Sequence, residues 1–314
     1  MFDLPPAAEP PAIHETVIEA PGPEGPLQGT LLMPAGGESG AIVLMVPGSG
    51  PIDRDGDMGP MKAGIYKKLA QDLASRGIGS LRIDKRGMFG STEAVSDPDA
   101  VTVADYAADL ESWLKVLRDR HAGACLYLAG HSEGGLVALA AAQDRTDLCG
   151  VILLAAPGRP VGAVLREQLT SNPANGPFLD EADRIIESLE NGERVPGEGM
   201  SPLLLPLFRP AVQGFLIDLF SYDPAALMKQ VSHPVLIVQG GEDIQIGVED
   251  ARRLAEAGRT ATLAIFPNAN HVLKTVPTAD RAANIAAYGD STLPITEGIA
   301  DEIAAFIAET LPAD

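Results

Sequence analysis

The chain has 314 residues, of which 43 are acidic and 23 are basic, so its formal net charge at pH 7 is −20. A surface this acidic repels polyanions, and we therefore expect neither nucleic acid nor an anionic membrane as a partner. Hydrophobic residues make up 46% of the chain, an ordinary share for a globular protein, which excludes disordered and collagen-like proteins.

The N-terminal sequence and the cysteines bear on where the protein resides. No apolar run is long enough to cross a bilayer. The first residues, MFDLPPAAEPPAIHE, lack the basic and apolar regions of a signal peptide and are typical of a Pro-rich, poorly ordered lead-in. The two cysteines, Cys125 and Cys149, each begin an apolar strand-like run. We expect two buried thiols in a cytoplasmic protein, and a disulfide is excluded if those strands are not neighbours.

The first predicted element is an antiparallel hairpin, because IHETVIEAPGPEGPLQGTLLMP contains two β-type runs separated by a Gly/Pro turn cluster. Near-continuous apolar strands are then predicted from AIVLMV, GSLRID, ACLYLA, GVILLAA, PVLIVQ and ATLAIF. Helices are predicted from YKKLAQDLASRG, VADYAADLESWLKVLRD, GGLVALAAA, VEDARRLAEAG and TEGIADEIAAFIAETL. This alternation predicts an α/β protein whose mostly parallel sheet is covered by helices on both faces.

The alternation is interrupted between the strands GVILLAA and PVLIVQ. Residues 159–231 contain two or three helical stretches punctuated by prolines. Such an excursion is too long for a connecting loop, so we predict a helical insertion. The expected domains are a core of residues 1–158 and 232–314, and a helical cap of residues 159–231.

A serine stands between a predicted strand and a predicted helix in the segment LYLAGHSEGGLVALAAA. In a parallel α/β sheet, ligands bind outside the carboxyl ends of the strands, which is where Ser132 falls. Gly130, Gly134 and Gly135 allow a tight turn that exposes the hydroxyl. The free N–H groups of the first helical turn suit a developing oxyanion. The pattern predicts a nucleophilic serine.

A serine nucleophile needs a base, and the five histidines are not equivalent. His121 and His233 precede strands and fall at the opposite end of the sheet, and His14 belongs to the hairpin. His131 adjoins the serine, but successive side chains in a sharp turn point apart. Only His271, in FPNANHVLK after the strand ATLAIF, reaches the correct edge. We therefore predict His271 as the general base.

The base in turn needs a carboxylate that holds its tautomer. Asp243, in VQGGEDIQIG after the strand PVLIVQ, meets that requirement. Glu242 is a rival, but it faces the other way in an extended segment. Asp84 also ends a strand, although not the one that leads to the histidine, and we predict instead that it anchors a loop by pairing with Arg86.

An oxyanion needs at least two N–H donors. The residue after the nucleophile, Glu133, supplies one backbone N–H. The second is expected from the loop VPGSGPIDRDG, where Gly48 and Gly50 flank Ser49 and let its N–H face the site. No histidine or cysteine cluster has metal-ligand spacing, and no nucleotide-binding motif follows a strand, so we predict neither a metal nor a cofactor.

These segments resemble the α/β-hydrolase superfamily over about residues 12–312. GHSEGG is similar to its nucleophile elbow, and PGSG is similar to its oxyanion segment, with proline in place of histidine. The order Ser132, Asp243, His271 is the family's chain order. PGSGPIDRDG and DKRGMFGS resemble more narrowly the bacterial carboxylesterases of the dienelactone-hydrolase and serine-aminopeptidase neighbourhood.

The resemblance implies an eight-stranded sheet whose first strands are antiparallel, and a lid after the sixth strand, where the insertion falls. It implies acyl transfer to Ser132, with His271 moving the proton, Asp243 orienting it and the N–H groups of Ser49 and Glu133 holding the oxyanion. The expected partner is a small short- or medium-chain acyl ester. Leu- and Phe-rich sequence in the insertion predicts an acyl pocket with contacts from Phe208, Phe215 and Phe220.

Two other functions remain open from the sequence. The same triad serves peptidases and amidases, and acids of the insertion such as Asp180 and Glu181 would then hold a peptide's amino terminus. A catalytically silent hydrolase fold that only binds a partner is the alternative outside enzymes. The intact triad and donor loops speak against that last alternative.

Overall fold

The computed structural model describes residues 14–312. The predicted Pro-rich lead-in falls on residues 1–13 and lies outside them. Within the described residues, no helix combines the length and apolar content that a membrane span requires.

A single mixed sheet of eight strands organises the described part of the chain. The strands are β1 His14–Pro21, β2 Pro26–Met33, β3 Ala41–Val46, β4 Gly79–Ile83, β5 Cys125–His131, β6 Gly150–Leu154, β7 Val235–Gly240 and β8 Ala261–Phe266. Their spatial order is β1-β2-β4-β3-β5-β6-β7-β8. The pairs β1/β2 and β2/β4 are antiparallel, and every other neighbouring pair is parallel. The predicted hairpin, the predicted strands and the mostly parallel sheet are confirmed.

Helices connect the strands and cover both faces of the sheet. They are α1 Ile65–Ala74, α2 Val103–Arg120, α3 Glu133–Ala141, α4 Val161–Thr170, α5 Leu179–Glu190, α6 Leu205–Phe208, α7 Pro210–Phe220, α8 Pro224–Met228, α9 Val248–Ala257, α10 Arg281–Ala287 and α11 Ile299–Thr310. α1 and α11 pack in one apolar cluster, whereas α2, α3 and α9 pack in another on the opposite face. The predicted α/β layering is therefore confirmed.

α2 shows how local sequence sets an element that supports the site. The Thr102 hydroxyl accepts a hydrogen bond from the Asp105 N–H, and the Asp105 carboxylate accepts one from the Thr102 N–H. This reciprocal cap satisfies two helix-end donors. Apolar residues at helical spacing, among them Leu110, Trp113 and Leu117, are fully buried against the sheet. The helix is fixed at its start and along one face.

Five helices, α4 to α8, lie between β6 and β7 and so occupy the predicted insertion. The Asp218 carboxylate in α7 accepts a hydrogen bond of 2.7 Å from the Val103 N–H, which opens α2. The Phe215 ring meets the Tyr106 ring edge to face at 5.7 Å. These contacts attach the inserted helices to α2. The division into a core and a cap at residues 158 and 231 stays a prediction.

The cysteines do not remain thiols, and the expectation of two buried thiols is wrong. β5 and β6 are neighbouring parallel strands, so Cys125, which begins β5, and Cys149, which directly precedes β6, lie side by side. Their Cα atoms are 5.7 Å apart and their sulfurs are bonded. That Cα separation is typical of disulfides. The argument for a cytoplasmic location that rested on reduced thiols therefore falls away.

We predict that reducing the Cys125–Cys149 bond lowers the free energy of unfolding by about 3 kcal/mol, because it closes a loop of 24 residues in the unfolded chain. Urea unfolding with and without a phosphine reductant measures the difference. A Cys125→Ala/Cys149→Ala variant is the control, since reductant cannot alter it. Two titratable thiols in the denatured, unreduced protein would contradict the bond.

Candidate active site

The candidate nucleophile stands in a strained turn between β5 and α3. Ser132 has φ 53° and ψ −124°, a backbone conformation that residues other than glycine rarely adopt. The turn is held by a hydrogen bond of 2.9 Å from the Ser132 N–H to the Leu154 carbonyl of neighbouring β6. Such strain persists only where the surroundings enforce it, and it is characteristic of functional sites.

The three glycines around the serine are each required by a close approach. A Cβ on Gly130 would collide with the backbone of Gly134, and a Cβ on Gly135 would lie 2.5 Å from the Ala156 Cβ. A Cβ on Gly134 would lie 2.5 Å from the Pro47 carbonyl oxygen. The start of α3 is thus pressed against both β5 and the loop that follows β3. This packing explains the glycine pattern in the sequence.

The predicted base and its carboxylate are joined. Asp243 Oδ2 lies 2.8 Å from His271 Nδ1, and both side chains are buried. Asp243 Oδ1 accepts hydrogen bonds from the N–H groups of Gln245 (2.7 Å) and Ile246 (2.9 Å). Gln239 Nε2 donates to Oδ2 at 3.2 Å. The carboxylate is therefore held from several sides and keeps a hydrogen on His271 Nδ1, which leaves Nε2 free to accept a proton.

Ser132 directly follows β5 and so lies at the same edge of the sheet. The ring of His131, the residue before it, has its centroid 4.8 Å from that of His271. Within residues 14–312, no hydrogen bond joins the Ser132 hydroxyl to His271. In serine hydrolases this bond is often long without substrate and shortens when substrate binds. The structure thus brings Asp243 and His271 into direct contact, and Ser132 directly follows the residue whose ring packs on His271.

The rival carboxylates have other partners. Glu242 Oε2 accepts a hydrogen bond of 3.0 Å from the Ala279 N–H, so this carboxylate is bound to the backbone and not to His271. Asp84 accepts from the Arg54 N–H at 2.9 Å and lies 3.4 Å from the Arg54 guanidinium. Burial raises the pKa of Asp84, and the hydrogen bond from the Arg54 N–H and the charge of the Arg54 guanidinium partly offset this rise.

The predicted ion pair between Asp84 and Arg86 is wrong. The Arg86 guanidinium turns to α2, where it binds the Asp109 carboxylate through two hydrogen bonds of 2.7 Å. Asp84 pairs with Arg54 of the loop after β3 instead, so it anchors a loop as expected but through a different arginine. Successive residues 84 to 86 leave the strand in different directions, which the linear sequence does not reveal.

His131 is not a second base. Burial, and next the charge of His271, lower the pKa of His131 to about 3. Its Nε2 lies 2.8 Å from the carbonyl oxygen of His271, which can only accept, so Nε2 carries the hydrogen. Its Nδ1 then accepts from the Tyr66 hydroxyl at 3.0 Å. A neutral His131 therefore links Tyr66 to the backbone of the loop that carries His271.

The two predicted oxyanion donors lie on adjoining segments. A Cβ on Gly48 would lie 3.2 Å from the Ser132 Cβ, so the loop after β3 borders the serine. In the described part of the chain, the N–H groups of Ser49 and Glu133 have no protein acceptor. Two unclaimed backbone donors beside a nucleophile are what a developing oxyanion requires.

The three phenylalanines predicted at an acyl pocket have unequal surroundings. Phe208 is fully buried and Phe220 nearly so, and both belong to the apolar cluster that contains α2 and α3. Phe215 is half-buried against Tyr106. Burial of this kind indicates core packing for Phe208 and Phe220. A pocket contact by any of the three stays a prediction.

Sequence reasoning missed two buried side chains that touch the oxyanion loop. Tyr66 accepts a hydrogen bond of 3.0 Å from the Gly48 N–H, and Lys85 Nζ donates one of 2.7 Å to the Gly48 carbonyl. Tyr66 has the spacing of an ordinary apolar position of α1, and the sequence analysis assigned no role to Lys85. Within residues 14–312, no group of three metal-ligating side chains converges.

Comparison with known proteins gives a family match and similar proteins in sequence. Residues 60–172 match the family described as serine aminopeptidase, S33. Esterase EstD of Thermotoga maritima is 31% identical over 278 residues, which is 87% of this chain and 63% of EstD. The chain therefore spans less than two thirds of the length of that relative.

Solved structures share the architecture at low sequence identity. Esterase Pf2001 of Pyrococcus furiosus matches with a TM-score of 0.58 and 14% identity, covering 96% of this chain and 94% of that one. Est1E of Butyrivibrio proteoclasticus, solved with ferulic acid bound, matches with a TM-score of 0.59 and 17% identity, covering 93% of this chain and 98% of that one. Dienelactone hydrolase of Anabaena variabilis matches with a TM-score of 0.55 and 17% identity, covering 96% of this chain and 99% of that one.

The strained turn generates a stability prediction. Ser132→Gly should raise the free energy of unfolding by about 1 kcal/mol, because glycine relieves backbone strain of about 1–3 kcal/mol but adds flexibility to the unfolded chain. Ser132→Ala is the matched control, since it removes the same hydroxyl but keeps the Cβ. Equal midpoints for the two variants in urea unfolding would show that Ser132 is unstrained.

The eight-stranded sheet, antiparallel at its start and parallel thereafter, superposes on the solved structures over 96% of this chain, with TM-scores of 0.58 and 0.55. The sequence match to EstD is consistent with that agreement. The chain has the α/β-hydrolase fold and resembles the esterases that share it.

Proposed function

We propose that the protein is a serine hydrolase that cleaves carboxylic esters of short or medium acyl chains through an acyl-enzyme on Ser132. The observation that carries the proposal is the 2.8 Å contact between Asp243 Oδ2 and His271 Nδ1, at the sheet edge where the strained Ser132 stands. The names of the relatives support the choice of ester, since EstD and Pf2001 are esterases.

In the proposed mechanism, His271 Nε2 removes the hydroxyl proton as Ser132 Oγ attacks the ester carbonyl carbon. Asp243 stabilises the imidazolium, and the N–H groups of Ser49 and Glu133 hold the tetrahedral oxyanion. Collapse of the intermediate breaks the bond to the alcohol, which leaves with the proton from His271. Water then attacks the acyl-enzyme by the same steps, releases the acid and restores Ser132.

The inserted helices are proposed to form a lid over the acyl site. They follow β6 directly and are attached to α2 by the hydrogen bond from the Val103 N–H to Asp218. Phe215, half-buried at this junction, is the phenylalanine best placed to contact an acyl chain, because Phe208 and Phe220 are taken up by the core. The expected substrate is a small molecule.

A peptidase or amidase is the second candidate. The match of residues 60–172 to the serine aminopeptidase family favours it. The helix α5 carries Glu181 at its start, but the Glu181 carboxylate accepts from the Ser201 N–H at 2.8 Å and so already serves the insertion itself. The ester reading therefore remains the main proposal.

The triad is tested by two substitutions. Ser132→Ala should abolish ester hydrolysis, and Asp243→Asn should lower kcat by about 10⁴-fold, because an asparagine favours the wrong tautomer of His271. Glu242→Gln is the matched control, as it changes the neighbouring carboxylate and should leave kcat unchanged. Steady-state rates on p-nitrophenyl butyrate measure all three. If Glu242→Gln and Asp243→Asn lost activity equally, the assignment of Asp243 would be wrong.

Substrate class is tested on the unaltered protein with p-nitrophenyl esters of graded acyl length and with aminoacyl anilides. We expect kcat/KM to be highest for a short or medium ester and far lower for every anilide. Preference for the anilides would support the peptidase instead. Failure of a fluorophosphonate probe to label the native protein at Ser132 would point to a silent binding protein.

A further inference from the structure

A buried lysine reaches the oxyanion loop from a neighbouring strand. Lys85 follows β4, and its side chain is 4% exposed. Its Nζ donates a hydrogen bond of 2.7 Å to the Gly48 carbonyl oxygen and lies 3.4 Å from Glu133 Oε1. The mechanism proposed above uses no lysine. A desolvated ammonium is costly, so its position calls for a physical explanation.

The geometry of the peptide bond supplies that explanation. The Gly48 carbonyl and the Ser49 N–H belong to the same planar trans unit, so they point in opposite directions. Lys85 draws the carbonyl to itself and thereby directs the Ser49 N–H away from itself. Because Gly48 borders Ser132, the direction of this peptide decides whether the N–H can meet an oxyanion.

Gly48 is held from its other end as well. The Gly48 N–H donates to the Tyr66 hydroxyl at 3.0 Å, and Tyr66 in turn contacts His131 Nδ1. Burial raises the pKa of Tyr66, so the phenol stays protonated and donates to His131. The two peptide units that flank Gly48 are thus each fixed by one buried side chain, and neither can rotate alone.

Glu133 has a part in both oxyanion donors. Its backbone N–H is the first donor, and its buried carboxylate is the anionic partner of Lys85. Removing one partner of a buried pair is strongly unfavourable, so Glu133 helps to hold the Lys85 side chain in this position. One residue therefore contributes the first donor directly and supports the second through the lysine.

Building on the proposed function, we propose that Lys85 is a positioning residue that sets the direction of the Ser49 N–H, and that the Glu133 side chain holds it there. Lys85 touches neither the substrate nor the reacting atoms. It acts through the Gly48–Ser49 peptide, so its loss should weaken stabilisation of the transition state and leave substrate binding intact.

The test compares each variant on an ester and on the thionoester in which sulfur replaces the carbonyl oxygen. Sulfur accepts hydrogen bonds poorly, so the ratio of kcat/KM for the two substrates reports the oxyanion donors alone. Lys85→Met should lower kcat/KM for the ester about 10- to 100-fold through kcat, with KM little changed, and should lower the ratio about as much. Lys85→Met/Glu133→Gln removes both charges and should show the same loss.

Arg86→Met is the matched control. Arg86 is the next residue, is similarly buried and pairs with a buried carboxylate, Asp109, but it donates to no atom of the oxyanion loop. Arg86→Met should lower the melting temperature as Lys85→Met does, and it should leave the ratio of kcat/KM for the ester and the thionoester unchanged. A wild-type ratio in both Lys85 variants, or an equal fall in Arg86→Met, would overturn the inference.

A crystal structure of Lys85→Met/Glu133→Gln shows the direction of the Gly48–Ser49 peptide without any substrate. We expect the Gly48 carbonyl to leave its original direction and the Ser49 N–H to turn with it. An unchanged peptide would refute the role of Lys85 whatever the enzyme's activity. Absence of ester hydrolysis in the wild type would instead refute the proposed function, and the two failures are therefore distinct.

Discussion

The close packing of the α3 N-terminus against two backbone segments is the constraint on which the site depends. Gly134 and Gly130 have no room for a Cβ, and Ser132 between them is held in a strained conformation by the Leu154 carbonyl. The parallel sheet then brings the ends of β5, β7 and β8 to one edge. Residues separated by more than 100 positions thereby come to one edge of the sheet, where the first N–H groups of α3 are left without a helical acceptor.

Buried cations at the end of β4 attach the site to the rest of the molecule. Arg82 is fully buried and binds Glu15 of β1 and Asp55 of the loop after β3. Lys85 holds Gly48, and Arg86 holds Asp109 of α2. Removing one partner of a pair buried on both sides, such as Arg86–Asp109, typically costs about 3–5 kcal/mol. Glu15 and Asp55 are more than a third exposed, so solvent weakens their pairs with Arg82. In this acidic chain, the buried cations Arg82, Lys85 and Arg86 thus hold the loop after β3 and the helix α2 beside the end of β4.

Local pattern was enough to predict the strands, the hairpin and the helical stretches between β6 and β7, because apolar runs and turn residues report burial directly. The same edge rule selected Asp243 and His271, which the structure joins. Local sequence pattern does not show which strands are neighbours in the sheet. The pairing of Cys125 with Cys149 was missed for that reason. Side-chain directions in loops were equally hidden, so Asp84 was assigned the wrong arginine and Lys85 was overlooked.

The central claim is that Ser132, His271 and Asp243 act as one unit with the N–H groups of Ser49 and Glu133. The most direct measurement is a crystal structure of the protein after reaction with an alkyl fluorophosphonate. The account predicts a bond from Ser132 Oγ to phosphorus, His271 Nε2 within hydrogen-bonding reach, and the phosphoryl oxygen accepting from both N–H groups. Phosphorus bonded to another residue, or an adduct on Ser132 with its phosphoryl oxygen turned away from both donors, would contradict it.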